Sequence, residues 1–246
     1  ISGEKEKQLL RTVKAFRLLM KVYDVTAYRA CATSAMRDAS NGIQIARKVH
    51  NKTGIRLEII NGLEEARMVY DSHIADLLGR EGHYIYVDVG GGSTEVSVIS
   101  NGKLIGSNSY NIGTVRSLGG MVKLADTESL NRDLAVLAAD HPDLKIIGTG
   151  GNINKLYRLK GNKNDNRLDV ADLKAIYDEL KALTVEERIS AFRLNPDRAD
   201  VIIPAAEIFL NIAERVHADS ICVPTIGITD GIAHALYIRY LNDRED

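Results

Sequence analysis

The sequence predicts an α/β protein built from one repeated unit of strands and helices, the first copy short by its opening hairpin. Three observations predict it. β-rich apolar runs alternate with segments of helical period along the whole chain. Two strand–glycine-turn passages occur, at 84–99 and at 144–152. The two halves also share one element order.

In the first half, Ser2 caps a helix whose apolar positions Leu9, Leu10, Val13, Phe16, Leu19, Met20 and Tyr23 recur at helical spacing. A strand over 27–33 leads into a polar loop or short helical turn at 33–39. A helix over 41–52 stops before Gly54, which suits a left-handed cap. A strand over 55–60 is broken by Asn61-Gly62, and a helix over 63–78 follows. Gly79-Arg80-Glu81-Gly82 reads as the domain boundary. Residues 1–80 are thus expected to form the remainder of a first domain, in the order αβαβα.

Residues 81–246 are expected to form the second domain. It opens with a strand carrying Asp88, returns at 96–99, and turns at Asn101-Gly102 into a third strand. A helix near 127–140, a strand at 144–147 and the turn Gly148-Thr149-Gly150-Gly151-Asn152 come next. Long helices over 169–183 and 197–217, a strand at 220–223 and a final helix over 229–241, free to pack back on the first domain, complete it. Setting aside the extra helices, this half reads βββαβαβα. A duplicated unit of that order is the architecture of the actin-like ATPase and sugar-kinase fold, which is ribonuclease H-like. The first half lacks only its opening β-hairpin.

The composition narrows the function. Lys and Arg number 32 against 33 Asp and Glu, which gives no basic field for nucleic acid. No apolar run reaches membrane-span length, and Glu4-Lys5-Glu6-Lys7 sits where a signal peptide needs an apolar core. Cys31 and Cys222 lie far apart in apolar runs and read as buried thiols in a reducing compartment. The six histidines show no zinc-ligand spacing. The expectation is a soluble, cytoplasmic protein.

The chemistry concentrates in four stretches. Asp88 interrupts an apolar strand, an expensive place for a carboxylate that binds nothing, and Gly90-Gly91-Gly92-Ser93-Thr94 follows at once. A carboxylate beside a Gly/Ser/Thr turn makes a phosphate cradle with a metal-holding group. The turn at 148–152 feeds a helix N-terminus, which presents N–H groups to anions. Arg37, just after a strand, reads on its own first as a solvated surface charge and second as a bidentate grip on phosphate. Glu64 and Glu65, one turn into a helix, serve the helix dipole, or one of them activates a water. Adjacent helical residues point about 100° apart, so only one of the pair faces a given cleft. Lys155, Arg158, Lys160, Lys163 and Arg167 crowd one segment. They read first as a solvated helix end and second as a lane for a departing polyanion.

Together the stretches 33–41, 59–67 and 88–95 resemble three successive signatures of the Ppx/GppA family, the exopolyphosphatases and guanosine pentaphosphate phosphohydrolases. Ile112-Gly113-Thr114-Val115-Arg116, Gly148-Thr149-Gly150-Gly151-Asn152 and Gly227-Ile228-Thr229-Asp230-Gly231 resemble further family stretches. The resemblance implies an active site in a cleft between two actin-like domains and Mg²⁺-assisted hydrolysis of a terminal phosphoanhydride. By motif position, Glu65 is the implied catalytic base and Arg37 a phosphate ligand. Asp88 would bind the metal, with Glu95 in support. Gly90, Gly91, Gly92, Ser93 and Thr94 would form one phosphate loop, and Gly148, Thr149, Gly150 and Gly151 the other. The implied partner is polyphosphate or a guanosine polyphosphate, with no nucleic acid and no membrane, and with room for a homodimer. The alternatives are a non-catalytic module that binds polyphosphate or guanosine tetra- and pentaphosphate, or an actin-fold kinase or ATPase. The family opens with an Asp-x-Gly-Ser-Asn hairpin that does not occur in this sequence. The expectation is therefore that the 246-residue chain alone shows little phosphatase activity.

Overall fold

The computed structural model describes residues 1–69, 81–160, 165–224 and 228–242. The chain divides into two compact units, Ile1–Ser72 with Ile228–Asp246, and His73–Gly227.

The first unit opens with α1 (Gly3–Val22), whose N-cap Ser2 accepts a hydrogen bond from the Lys5 amide. Then come β1 (Ala30–Ala32), the single turn α2 (Ser34–Arg37), α3 (Gly42–Thr53), β2 (Leu57–Ile59) and α4 (Gly62–Val69). β1 and β2 pair in parallel, Ala30 opposite Leu57 and Ala32 opposite Ile59. The strands are shorter than the extended runs 27–33 and 55–60, because the ladder between them is only three residues long. Gly54 closes α3 at φ 73°, the left-handed cap its position predicts. Met36, Ile45 and Val49 form a small core under Leu9, Leu10, Val13, Leu57 and Ile59. The α2–α3 corner needs Gly42, because a Cβ there would lie 2.0 Å from the Met36 carbonyl oxygen.

The second unit begins with an antiparallel meander of β3 (His83–Val89), β4 (Thr94–Ser100) and β5 (Lys103–Tyr110). Asn101 and Gly102 turn between the last two with φ of 47° and 72°, both left-handed as a tight hairpin requires. Next are α5 (Thr114–Leu118), α6 (Leu124–Asp140), β6 (Lys145–Thr149), α7 (Gly151–Leu159), β7 (Arg167–Asp169) and α8 (Val170–Lys181). They are followed by α9 (Val185–Phe192), α10 (Pro196–Ala199), α11 (Ile202–Arg215) and β8 (Ser220–Cys222). The sheet order is β5-β4-β3-β6-β8-β7. The first five of these, with their crossover helices, form the actin-like unit.

Two features depart from the sequence pattern. A single helix over 197–217 is interrupted at 200–201, giving α10 and α11. Pro204 is the cause: it has no N–H for the carbonyl one turn back, so it sits only in the first turn of a helix. The second is β7, which adds antiparallel to β8 with Leu168 opposite Ile221. A three-residue strand is too short for alternation to reveal.

β3 reads as a nearly continuous apolar run because helices cover both faces of the sheet. Ile85, Val87 and Val89 pack with Ile146 of β6, Ile221 of β8, Ile153 and Leu156 of α7, and Phe209 and Ile212 of α11. Phe209 is fully buried, and its ring lies 3.1 Å from where a Cβ on Gly148 would stand. The Phe209→Ala variant is expected to lose about 3–5 kcal/mol of stability, read as a lower midpoint in denaturant.

The last helix, α12 (Ile228–Asn242), belongs to the first unit and packs on α4. The approach is close enough that a Cβ on Gly231 would overlap the Met68 carbonyl oxygen at 1.6 Å. The boundary expected at 79–82 lies largely outside the described residues. Cys31 and Cys222 are free thiols, each half-buried rather than buried. No described helix is long and apolar enough to cross a membrane.

Candidate active site

In the first unit, Asn61 caps α4: its Oδ1 accepts from the Glu64 amide at 2.8 Å. The family resemblance has serine here, and the two residues cap about equally well. The cap fixes the first turn of α4, from which Glu64 and Glu65 diverge by about 100°. Glu64 keeps 42% of its side chain exposed and forms an ion pair with Arg29 at 2.5 Å. Glu65 is buried, only 7% exposed, with Oε2 3.8 Å from Nη1 of Arg37. Arg37 ends α2, and the same Nη1 donates to the Ile60 carbonyl at 3.1 Å. The structure thus brings Arg37 and Glu65 together, a carboxylate held away from water beside a guanidinium.

In the second unit, strand pairing gathers the other groups. Asp88 stands opposite Glu95 on β4 and opposite Thr149 on β6. Its carboxylate lies against the second glycine turn. A Cβ on Gly150, where φ is +97°, would fall 2.6 Å from Asp88 Oδ1. Only glycine takes that backbone conformation and leaves that space. Burial pushes the Asp88 carboxyl up to about 6, and the Glu95 charge adds to the rise. Glu95 is buried, and its Oε1 accepts from the hydroxyls of Ser93 at 2.6 Å and Ser109 at 3.2 Å.

The first glycine turn is fixed by α5. Gly90 O accepts from the Thr114 amide and Gly91 O from the amides of Val115 and Arg116, while Gly92 O accepts from Nε of Arg116 at 2.8 Å. The Gly90 amide donates to Ser93 O at 2.9 Å. With its carbonyls committed, the turn keeps the amides of Gly91 and Gly92 as donors for an anion. Sequence reasoning named the 112–116 stretch only by resemblance; its local pattern carried no sign that it locks the turn. Gly113 permits the contact, since a Cβ would lie 2.5 Å from Gly91 O.

Three predicted phosphate ligands have their hydroxyls committed within the protein. Ser93 donates to Glu95, Thr94 to the Ile112 carbonyl at 2.6 Å, and Thr149 to the Tyr86 hydroxyl. Gly148 is a packing glycine, because a Cβ would press on Ile221 at 2.9 Å. Gly151 opens α7, and its carbonyl accepts from Nη1 of Arg198. Arg198 lies 47 residues away in sequence, and nothing in its local pattern predicted that it meets the glycine turn.

Three members of the basic segment, Lys155, Lys160 and Arg167, are engaged within the protein. Lys160 Nζ donates to the Arg167 carbonyl and lies within 4.0 Å of the carboxylates of Asp165, Asp169 and Asp172. Arg167 pairs with Asp169, and Lys155 donates to the Phe192 carbonyl. Lys163 lies outside the described residues, as does Gly227 of the last resembling stretch.

Comparison with known proteins identifies the family. The family model described as the Ppx/GppA phosphatase family matches residues 1–237. A Mycobacterium tuberculosis protein named exopolyphosphatase 2 is 27% identical over 89% of this chain and 77% of its own length. An Aliivibrio fischeri protein named guanosine-5'-triphosphate,3'-diphosphate pyrophosphatase is 25% identical over 87% of this chain and 46% of its own length. Among solved structures, the Aquifex aeolicus Ppx/GppA family member superposes with a TM-score of 0.75 at 25% identity, over 98% of this chain and 83% of that one. An exopolyphosphatase from Cytophaga hutchinsonii shares the fold at a TM-score of 0.83 and 21% identity, over 96% of this chain and 83% of that one. A family match spanning both units, on a chain with the turns and carboxylates described, settles its kinship: the chain belongs to the Ppx/GppA phosphatase family.

Proposed function

We propose that the protein is an exopolyphosphatase-type phosphohydrolase that removes the terminal phosphate from inorganic polyphosphate and from guanosine pentaphosphate. The observation that carries this reading is the setting of Asp88, a carboxylate between two glycine turns with Glu95 across the strand pair. That is an arrangement for a phosphate-bound cation. The names of the relatives support the substrate class.

The donor set fits Mg²⁺. Asp88 and Glu95 offer hard oxygen ligands, and among the described residues no cluster of three or more candidate ligands occurs. Mg²⁺ commonly takes one or two carboxylates and completes its shell with water and substrate phosphate oxygens. Bound there, it would neutralise charge developing on the phosphoryl oxygens.

In the proposed reaction a water oxygen bonds to the terminal phosphorus while the bridging P–O bond breaks. The water proton passes to the Glu65 carboxylate. The shortened chain leaves with the electron pair on its oxygen, and orthophosphate is released. Arg37 holds the terminal phosphate. The amides of Gly91 and Gly92 and the first turn of α7 stabilise negative charge that is spread over the equatorial oxygens.

The test is orthophosphate release from polyphosphate by the full-length protein, with and without Mg²⁺. Release that stops on chelation and returns with Mg²⁺ is expected. Tight polyphosphate binding without release would make the protein a binding module, and ATP consumption that requires an acceptor would make it a kinase.

A further inference from the structure

Arg29 lies immediately before β1, and neither the family signatures nor the proposed reaction assigns it a part. Its guanidinium joins three elements of the first unit. Nε and Nη2 donate to Oε2 of Glu58 on β2, at 3.1 and 2.9 Å. Nη2 also donates to Oε1 of Glu64 on α4 at 2.5 Å, and Nη1 approaches the Met68 sulfur at 3.9 Å. Hydrogen bonding to the two carboxylates holds its pKa above the ordinary arginine value, so it is charged throughout.

We propose that Arg29 is the positioning residue for Glu65. Glu64 and Met68 are four residues apart and lie on one face of α4. Gripping both from the residue that precedes β1 fixes the rotation of that helix about its axis. Glu65, the next residue after Glu64, is thereby turned away from Glu58 and toward Arg37, where it lies 3.8 Å from the guanidinium. Arg29 also balances the charge of Glu58 and Glu64. Lysine does not replace it, because an ammonium on a flexible stem lacks the planar fork that spans two acceptors. A misplacement of about 1 Å in a reacting group costs on the order of 100-fold in rate. The gripping bonds therefore act on kcat, not on affinity.

The inference rests on Glu65 being the base, and the experiment separates the two ideas. Arg29→Met, Glu65→Gln and the double variant are compared in the full-length protein, with Arg29→Lys as the charge-preserving control. Melting curves set an assay temperature at which every variant is folded. Arg29→Met is expected to lower kcat about 10- to 100-fold while KM for polyphosphate stays within about twofold. Arg29→Lys is expected to recover only part of the loss. In the Glu65→Gln background, adding Arg29→Met is expected to cost nothing further, because Arg29 acts through Glu65. An unchanged kcat in Arg29→Met, a loss carried by KM, full recovery with Lys, or a loss that persists undiminished beside Glu65→Gln would each overturn the proposal. Full activity in Glu65→Gln alone would instead remove the assignment of the base.

Discussion

The Glu65→Gln variant is expected to release orthophosphate about 10²–10⁴-fold more slowly than the parent protein, with KM for polyphosphate little changed. Glutamine keeps the size and the hydrogen-bonding outline but cannot accept the water proton. The side chain is buried beside Arg37, with 7% of its surface exposed, so the amide fits where the carboxylate was. Folding should survive, because Arg37 keeps its bond to the Ile60 carbonyl and α4 keeps its Asn61 cap. A single-turnover measurement checks the chemical step directly. Phosphate release at the parent rate would take Glu65 out of the reaction. The matching change at Glu64 is expected to do less, since its amide oxygen can still accept from Arg29 and Glu64 has no part in the proton transfer. The contrast between neighbours tests whether the two point to different tasks.

That contrast shows how far the sequence can be read. Two adjacent glutamates in the first turn of a helix announce that one of them turns inward, and motif resemblance picks Glu65. What selects the rotation is Arg29, whose partners lie 29 and 35 residues away. No local period connects those positions. The same distinction holds for the glycine turns. Their existence is written in Gly90-Gly91-Gly92 and Gly148-Thr149-Gly150-Gly151, because backbone freedom is a property of residue type. Which atoms remain for a ligand is set by tertiary neighbours. α5 takes the carbonyls, Glu95 takes the Ser93 hydroxyl, and Tyr86 takes that of Thr149. Element order was legible because apolar period survives in a single sequence. The break at 200–201 was missed because the amphipathic spacing continues through it, although Pro204 marks the place. The ion pairs of the basic segment are not legible in the sequence, because Asp165, Asp169 and Asp172 are brought onto Lys160 only by the turn into β7 and α8.

Asp88→Asn is expected to move activity and stability in opposite directions. Asparagine keeps one oxygen but loses the charge, so the Mg²⁺ concentration for half-maximal activity should rise about 10- to 100-fold, with kcat also reduced. The fold, by contrast, should gain. In the metal-free protein, burial and the Glu95 charge hold the Asp88 carboxyl near 6 instead of its ordinary 3.8. The folded state therefore keeps this proton more tightly than the unfolded chain does, and the group favours folding in acid. That contribution is lost as pH rises from about 4 to about 6, and above that range the desolvated carboxylate, with Glu95 beside it, is a standing cost. Asp88 is half-buried, so water offsets part of both the burial penalty and the repulsion, and the cost is about 1–2 kcal/mol. With chelator at pH 8, Asp88→Asn should melt a few degrees above the parent, and adding Mg²⁺ with pyrophosphate should stabilise the parent more than the variant. A variant that melts lower in chelator, or that keeps the parental Mg²⁺ requirement, would show that Asp88 is a structural carboxylate. A carboxylate held at the end of this strand at a cost that a bound cation would offset is what the proposed metal-assisted reaction predicts.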